Sequence, residues 1–184
     1  FPTRRSSDLL PADSAGQRLF VQFDGVYMDS TVWLNGSQIC ARPYGYASFE
    51  CDFTSHAISD GENVLAVRVN NQLPSSRWYS GSGIYRHVWL KTVHPVHVDY
   101  TGSAVTTPTI NAGSADVHIR VRVRNDTAVG QSITVSNAIR NADGDEVATT
   151  APTTHTVDAW GTADIAQTGT VTSPSLWSVS SPTM

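Results

Sequence analysis

The chain has 184 residues, enough for one large domain or two small ones, and 40% of them are apolar, ample for a buried core. A formal charge of −4 argues against a general nucleic-acid or anionic-membrane binder, and no apolar run approaches the roughly 18 residues that a membrane helix needs. Threonine, serine and valine abound, lysine occurs once, and glutamate stands only at Glu50, Glu62 and Glu146, a profile that favours strands over helices.

Residues 1–9 resemble the translation of a sequencing-adapter oligonucleotide and carry no weight in the fold expectation. The chain is then expected to start inside a domain whose first strands are missing. A leader lost upstream would leave no trace, so the compartment stays open. Leu19, Val21 and Phe23 alternate with Phe20, Gln22 and Asp24, which is strand periodicity. Val32 and Leu34 flank Trp33 in a second strand, and Asn35-Gly36 supplies a hairpin turn because both residues tolerate positive φ. Residues 48–53 read as another strand. The turn Asp60-Gly61-Glu62-Asn63 leads into a strand with Leu65, Val67 and Val69 on one face. Gly81 and Gly83 break the chain before strands at 87–91 and 96–100.

The segment 101–115 is rich in Thr, Pro, Gly and Ser, which places a domain boundary near Thr107-Pro108. The expected units are 10–106 and 107–184. Beyond the boundary, Val117, Ile119, Val121 and Val123 alternate with His118, Arg120, Arg122 and Arg124, a half-buried antiparallel strand with one solvated face. Ile133, Val135 and Ile139, the turn Asp143-Gly144, and strands at 154–157 and 162–167 follow. Short strands with regular turns predict an all-β sandwich, and no segment of ten residues shows helical periodicity. Cys40 and Cys51 allow one bridge; the expectation is two buried thiols, since free cysteine packs as a small hydrophobe, while a bridge would imply an oxidising compartment.

Several motifs stand in a fixed order. Phe23-Asp24-Gly25-Val26 and Val32-Trp33-Leu34-Asn35-Gly36 come first. Gly45-Tyr46-Ala47-Ser48-Phe49 with Cys51-Asp52-Phe53 comes next, then Gly61-Glu62-Asn63 through Val69. The run 77–90, Arg-Trp-Tyr-Ser-Gly-Ser-Gly-Ile-Tyr-Arg-His-Val-Trp-Leu, closes the first half. Together they resemble the N-terminal sugar-binding domain of glycoside hydrolase family 2, with Ser48 in place of the usual proline. Pro174-Ser175-Leu176-Trp177-Ser178 and Pro182 look like the family's link into its catalytic barrel. The resemblance covers about residues 10–184. It implies a truncated jelly-roll sandwich followed by an immunoglobulin-like sandwich, a β-galactosidase or related β-glycosidase as parent enzyme, a carbohydrate partner reached through the absent barrel, and an oligomeric parent.

Sugars present flat CH faces edged by hydroxyls, so a binding site needs rings and forked polar groups. The resemblance makes Arg77, Trp78 and Tyr79 the substrate-binding residues. Arg77 can fork two hydrogen bonds to adjacent oxygens, and Trp78 and Tyr79 supply rings. Arg77 stands where some family members carry an acidic residue that contacts sugar. The bland reading is a loop that buttresses a domain interface. Arg86 is expected to be a buried ion-pair partner, and Trp33 and Trp89 core or interface aromatics.

Other constellations carry no chemistry. Gly81-Ser82-Gly83 lacks the third glycine and following helix of a dinucleotide loop, and no cofactor is expected. The histidines at 56, 87, 94, 97, 118 and 155 are scattered, so no metal site is expected. The stripe Arg120, Arg122 and Arg124 reads as a solvated strand face. Asn35-Gly36-Ser37 and Asn125-Asp126-Thr127 match the glycosylation pattern. Retaining glycosidases need two carboxyl groups about 5 Å apart; Glu50, Glu62 and Glu146 match neither barrel motif and are expected at exposed strand or turn positions. No catalytic residue is expected in this chain. The alternatives are a carbohydrate-binding module that works without a barrel and a purely structural pair of sandwiches.

Overall fold

The structure is a computed structural model describing residues 10–72 and 80–182, together with the backbone of the strand Thr3–Asp8. It divides into two compact units, Phe1–His94 and Pro95–Met184. Both are built from strands, and the helical content of the described residues is one short turn at Thr54–His56.

Unit one contains β1 (Thr3–Asp8), β2 (Arg18–Phe23), β3 (Val26–Tyr27), β4 (Ser30–Leu34), β5 (Ser37–Arg42), β6 (Phe49–Asp52), β7 (Asn63–Arg68), β8 (Gly83–Ile84) and β9 (Val88–Val93). Its sheets are β1-β7-β4-β5, β6-β2-β9 and the short pair β3-β8. Thr3–Asp8, set aside on sequence grounds, pairs antiparallel with β7 along its whole length. The alternation in β2 puts Leu19, Val21 and Phe23 into a core shared with Val32, Leu34, Phe49, Cys51, Phe53, Val67 and Val69. Phe23 and Phe49 stack at its centre with ring centroids 5.0 Å apart.

Cys40 and Cys51 form a disulfide with Cα atoms 5.7 Å apart, so the expected pair of free thiols is corrected. The bond runs between β5 and β6 and therefore ties two different sheets together. Composition gave no sign of this, because the two cysteines become neighbours only when the sheets stack.

Polar side chains lock the turns. Asn63 is buried; its amide donates to the carbonyls of Ile58 at 2.8 Å and Gly61 at 3.3 Å, and its oxygen accepts from the Ile58 N–H and from Asn35 Nδ2. Asn35, at φ 50° in the hairpin, also donates to the His56 carbonyl and accepts from the Val64 N–H. One region of the core face stays open. Val88 and Leu90 of β9 lie opposite the buried Phe23 and Val21, so they share the core-facing side, yet they are 41% and 48% exposed.

Unit two contains β10 (Val96–Ile110), β11 (Ser114–Asn125), β12 (Gln131–Val135), β13 (Ala138–Arg140), β14 (Glu146–Thr149), β15 (Thr153–Val157) and β16 (Thr162–Thr172), with sheets β10-β11-β16, β12-β15 and β13-β14. Val117, Ile119, Val121 and Val123 are buried with Val157 and Ile165, and the alternate residues His118, Arg120, Arg122 and Arg124 are exposed. Buried Asn125 faces the carbonyls of Val129, Val157 and Asp158 at 2.8–3.1 Å and accepts from the Thr127 N–H and hydroxyl. Buried Gln167 likewise serves Val135, Ala151, Thr153, Asn137 and Thr150.

The division between units falls at His94/Pro95, where the composition had suggested Thr107-Pro108. The Thr/Pro/Gly/Ser segment belongs to a bulged strand. The register of β10 on β11 shifts between Val98 and Ser103 and again between Thr106 and Thr109. Gly102 sits at the first shift, where a Cβ would lie 2.8 Å from the Asp99 carbonyl oxygen. Pro108 falls in the second, on a strand at the end of its sheet, where a missing N–H removes no ladder bond.

Candidate functional site

Arg77, Trp78 and Tyr79, the predicted substrate contacts, lie outside the described residues. The nearest described positions on either side are Gln72 and Ser80. Asn71 Nδ2 donates to the Ser80 carbonyl at 3.2 Å and to its hydroxyl at 3.3 Å, bridging the two stems. Past Ser80, β8 pairs with β3 through Val26↔Ile84 and Tyr27↔Gly83. Gly83 has φ 148°, a conformation that favours glycine.

Tyr85 fixes the exit of this loop. Its hydroxyl donates to the Gly45 carbonyl at 2.7 Å, and its N–H donates to the Gly25 carbonyl at 3.2 Å. Its ring lies directly on Gly25, where an added Cβ would approach Cζ to 2.5 Å. Two glycines quoted from the sequence as parts of separate motifs thus meet at one tyrosine. Arg86, expected to be a buried ion-pair partner, is exposed, with its guanidinium 6.0 Å over the Tyr85 ring. The correction follows from its place in the bend between β8 and β9, which turns the side chain outward.

Asp24 collects polar groups from two strands. Its carboxylate accepts from Trp89 Nε1 at 2.8 Å and from Gln22 Nε2 at 2.9 Å, and His87 Nδ1 stands 4.0 Å away. The Trp89 hydrogen bond, then that of Gln22, holds the carboxyl below its usual value of 3.8 against partial desolvation, helped by the nearby His87 and Arg86. The bond leaves Trp89 50% exposed. His87 packs beside it with ring centroids 5.3 Å apart. Trp89 is therefore a presented ring, and Trp33 is half-buried on β4, so neither belongs to the core cluster. Tyr44 and Tyr46 are further exposed rings beside Gly45, at 60% and 63%. Sequence reasoning assigned neither a role; the signal was their spacing around a glycine.

The three glutamates have other work or none. Glu50, expected to be exposed, has a side chain only 14% exposed and bonds Lys91 Nζ at 2.7 Å. Gln22 on β2 stands between their strands, paired with Glu50 on β6 and with Trp89 on β9, so the ion pair reaches across β2 on one face of the sheet. Glu62 is exposed in its turn, and Glu146 stands 3.5 Å from Arg140. The basic stripe is exposed as expected, with Arg122 forking Asp164 at 3.0 and 2.9 Å and Arg124 reaching Asp126 at 2.7 Å.

Comparison with known proteins covers almost the whole chain. The family model "Glycosyl hydrolases family 2, sugar binding domain" matches residues 6–94, and "Glycosyl hydrolases family 2" matches residues 96–184. The chain is 41% identical over 169 residues to the β-galactosidase BoGH2A of Bacteroides ovatus, which covers 91% of the chain and 20% of that protein. It is 41% identical over 112 residues to a putative β-glucuronidase of Formosa agariphila, 60% of the chain and 11% of that protein. Among solved structures, a glycosyl hydrolase family 2 member from Bacteroides cellulosilyticus superposes with TM-score 0.93 at 34% identity, over 98% of the chain and 25% of its own. A β-glucuronidase of the same family gives 0.89 at 26% identity, over 95% and 20%. The chain thus spans about a fifth to a quarter of the proteins it matches over most of its length.

Proposed function

The chain belongs to glycoside hydrolase family 2, and we propose that it is the non-catalytic N-terminal portion of a retaining β-glycosidase, specifically a β-galactosidase. The observation that carries this reading is the likeness to the Bacteroides ovatus β-galactosidase along nearly the entire chain. In the proposed enzyme, Arg77 forks sugar hydroxyls and Trp78 and Tyr79 stack on the ring at the mouth of the active site. The Asn71–Ser80 bridge and the β3–β8 pair hold the two ends of that loop at fixed positions. The hydrolytic carboxylates come from elsewhere in the polypeptide. That view is supported by Glu50 being bonded to Lys91 and Glu146 lying beside Arg140, so two of the three glutamates face cations.

A second reading, hydrolysis of β-glucuronides, is favoured by the Formosa agariphila relative. There Arg77 would pair with the sugar carboxylate. Assay of the parent polypeptide on 4-nitrophenyl β-galactoside and β-glucuronide separates the two. The first reading expects turnover of the galactoside, and Arg77→Ala raising KM about tenfold. Turnover of the glucuronide alone moves the substrate to the second reading. Turnover of either by the 184-residue chain alone sinks the non-catalytic role.

A further inference from the structure

Four of the chain's six tyrosines gather at one end of unit one. Tyr27 is the buried base, 7% exposed. Tyr46 packs on it with centroids 5.1 Å apart and planes at 59°, and Tyr44 meets Tyr46 edge-on at 5.8 Å. Tyr85 closes the group through its bond to the Gly45 carbonyl. A hydrogen bond with Tyr27 pushes the Tyr46 phenol above its usual value, with burial and the phenols of Tyr85 and Tyr44 adding to it.

Two features make this a prepared surface. Two of the four rings, Tyr27 and Tyr85, are seated on glycine. A Cβ at Gly45 would lie 2.4 Å from Tyr27 Cδ2, and one at Gly25 would lie 2.5 Å from the Tyr85 ring. The outer rings also stay open, with Tyr44, Tyr46 and Tyr85 each about half-exposed or more. Large rings packed on one another, facing water and edged by hydroxyls, have only two side-chain torsions to lose on binding. Flat CH faces bordered by hydroxyls are the matching ligand surface. The group adjoins β8, which directly follows the loop carrying Arg77.

We infer that Tyr44, Tyr46 and Tyr85 form a stacking platform for an additional sugar unit, so that the site takes an extended neutral glycan. The inference rests on the glycosidase reading and names its substrate class. It is tested on the parent polypeptide with β-1,4-galactotetraose and 4-nitrophenyl β-galactoside. The variants are Tyr44→Ala/Tyr46→Ala and Tyr44→Leu/Tyr46→Leu, the second keeping apolar bulk without an aromatic face. The expected result is a roughly tenfold fall, in both variants, in the ratio of kcat/KM for the tetraose to that for the nitrophenyl glycoside. An unchanged ratio overturns the platform, whether both rates fall together through misfolding or neither moves. If the wild type cleaves neither probe, the galactosidase reading fails separately. The platform is then judged by binding of the same polypeptide to an array of neutral β-linked oligosaccharides. Retention lost in both variants supports it; retention unaffected by the variants, or no retention by the wild type, overturns it.

Discussion

The Tyr85 ring rests on the backbone of Gly25 so closely that a single methyl group there would come within 2.5 Å of it. The Tyr85 hydroxyl then reaches the Gly45 carbonyl at 2.7 Å. Three motifs separated by up to 60 residues in sequence are joined by that one side chain.

The two glycines respond differently to alanine. At Gly25 the methyl meets the far end of a half-exposed ring, which can swing away. Gly25→Ala is expected to break the bond to Gly45 and cost about 1 kcal/mol. At Gly45 the methyl meets Cδ2 of buried Tyr27, which has nowhere to go, and Gly45→Ala is expected to cost about 1–3 kcal/mol. Denaturant melts of the two variants check the order; a larger loss at Gly25 contradicts it.

Asp24 is held ionised below its usual range, chiefly by the Trp89 indole. A carboxyl depressed in the folded state contributes stability above its unfolded value of 3.8 and loses it as pH falls through the lower folded value. Asp24→Asn is therefore expected to destabilise at pH 7 and to match wild type increasingly closely below about pH 4. Thermal melts across pH 2–7 measure the gap between them. A constant gap would mean the Asp24 charge is not what the indole bond uses.

The two glycosylation-pattern asparagines are occupied by the fold. Asn125 is fully buried with its amide between carbonyls, and the Asn35 amide donates twice within its hairpin. Expression in a glycosylating host is expected to leave both unmodified, as read by intact mass. Asn125→Ala strands several buried backbone groups and is expected to cost about 2–3 kcal/mol. A loss under 1 kcal/mol would show that water replaces the amide.

Val88 and Leu90 face the core side of β9 while remaining about half-exposed. Apolar surface on a strand that ends its sheet among the described residues invites self-association. The isolated chain is expected to associate as its concentration rises, and Val88→Thr/Leu90→Lys to reduce this. Sedimentation velocity reads the outcome directly, and equal association of the variant places the contact elsewhere.

The strand alternations were the legible part of the fold. Leu19/Val21/Phe23 and Val117/Ile119/Val121/Val123 are buried because period-two patterning puts them on one face. The boundary at 94/95 was masked by Gly102 and Pro108, whose composition reads as a linker but serves two bulges of β10. At the candidate site, the 77–90 motif singled out a stretch whose expected sugar contacts, Arg77, Trp78 and Tyr79, lie outside the described residues. The partners of that stretch were not legible, because the Gly25–Tyr85–Gly45 and Asp24–Trp89 contacts depend on strand register across three segments. Glu50 was misplaced for the same reason: its Lys91 partner lies 41 residues away.

The bond between Cys40 and Cys51 makes preparations of this chain differ by history. Made in a thiol-rich cytosol, the same polypeptide would keep its two sheets together by apolar packing alone, with Val21, Phe23 and Phe49 of one sheet against Val32, Leu34 and Val67 of the other. Made in an oxidising space, it would carry a covalent rivet across the sandwich. Affinity, shelf life and protease resistance measured on one material do not transfer to the other unless the thiol content is assayed alongside.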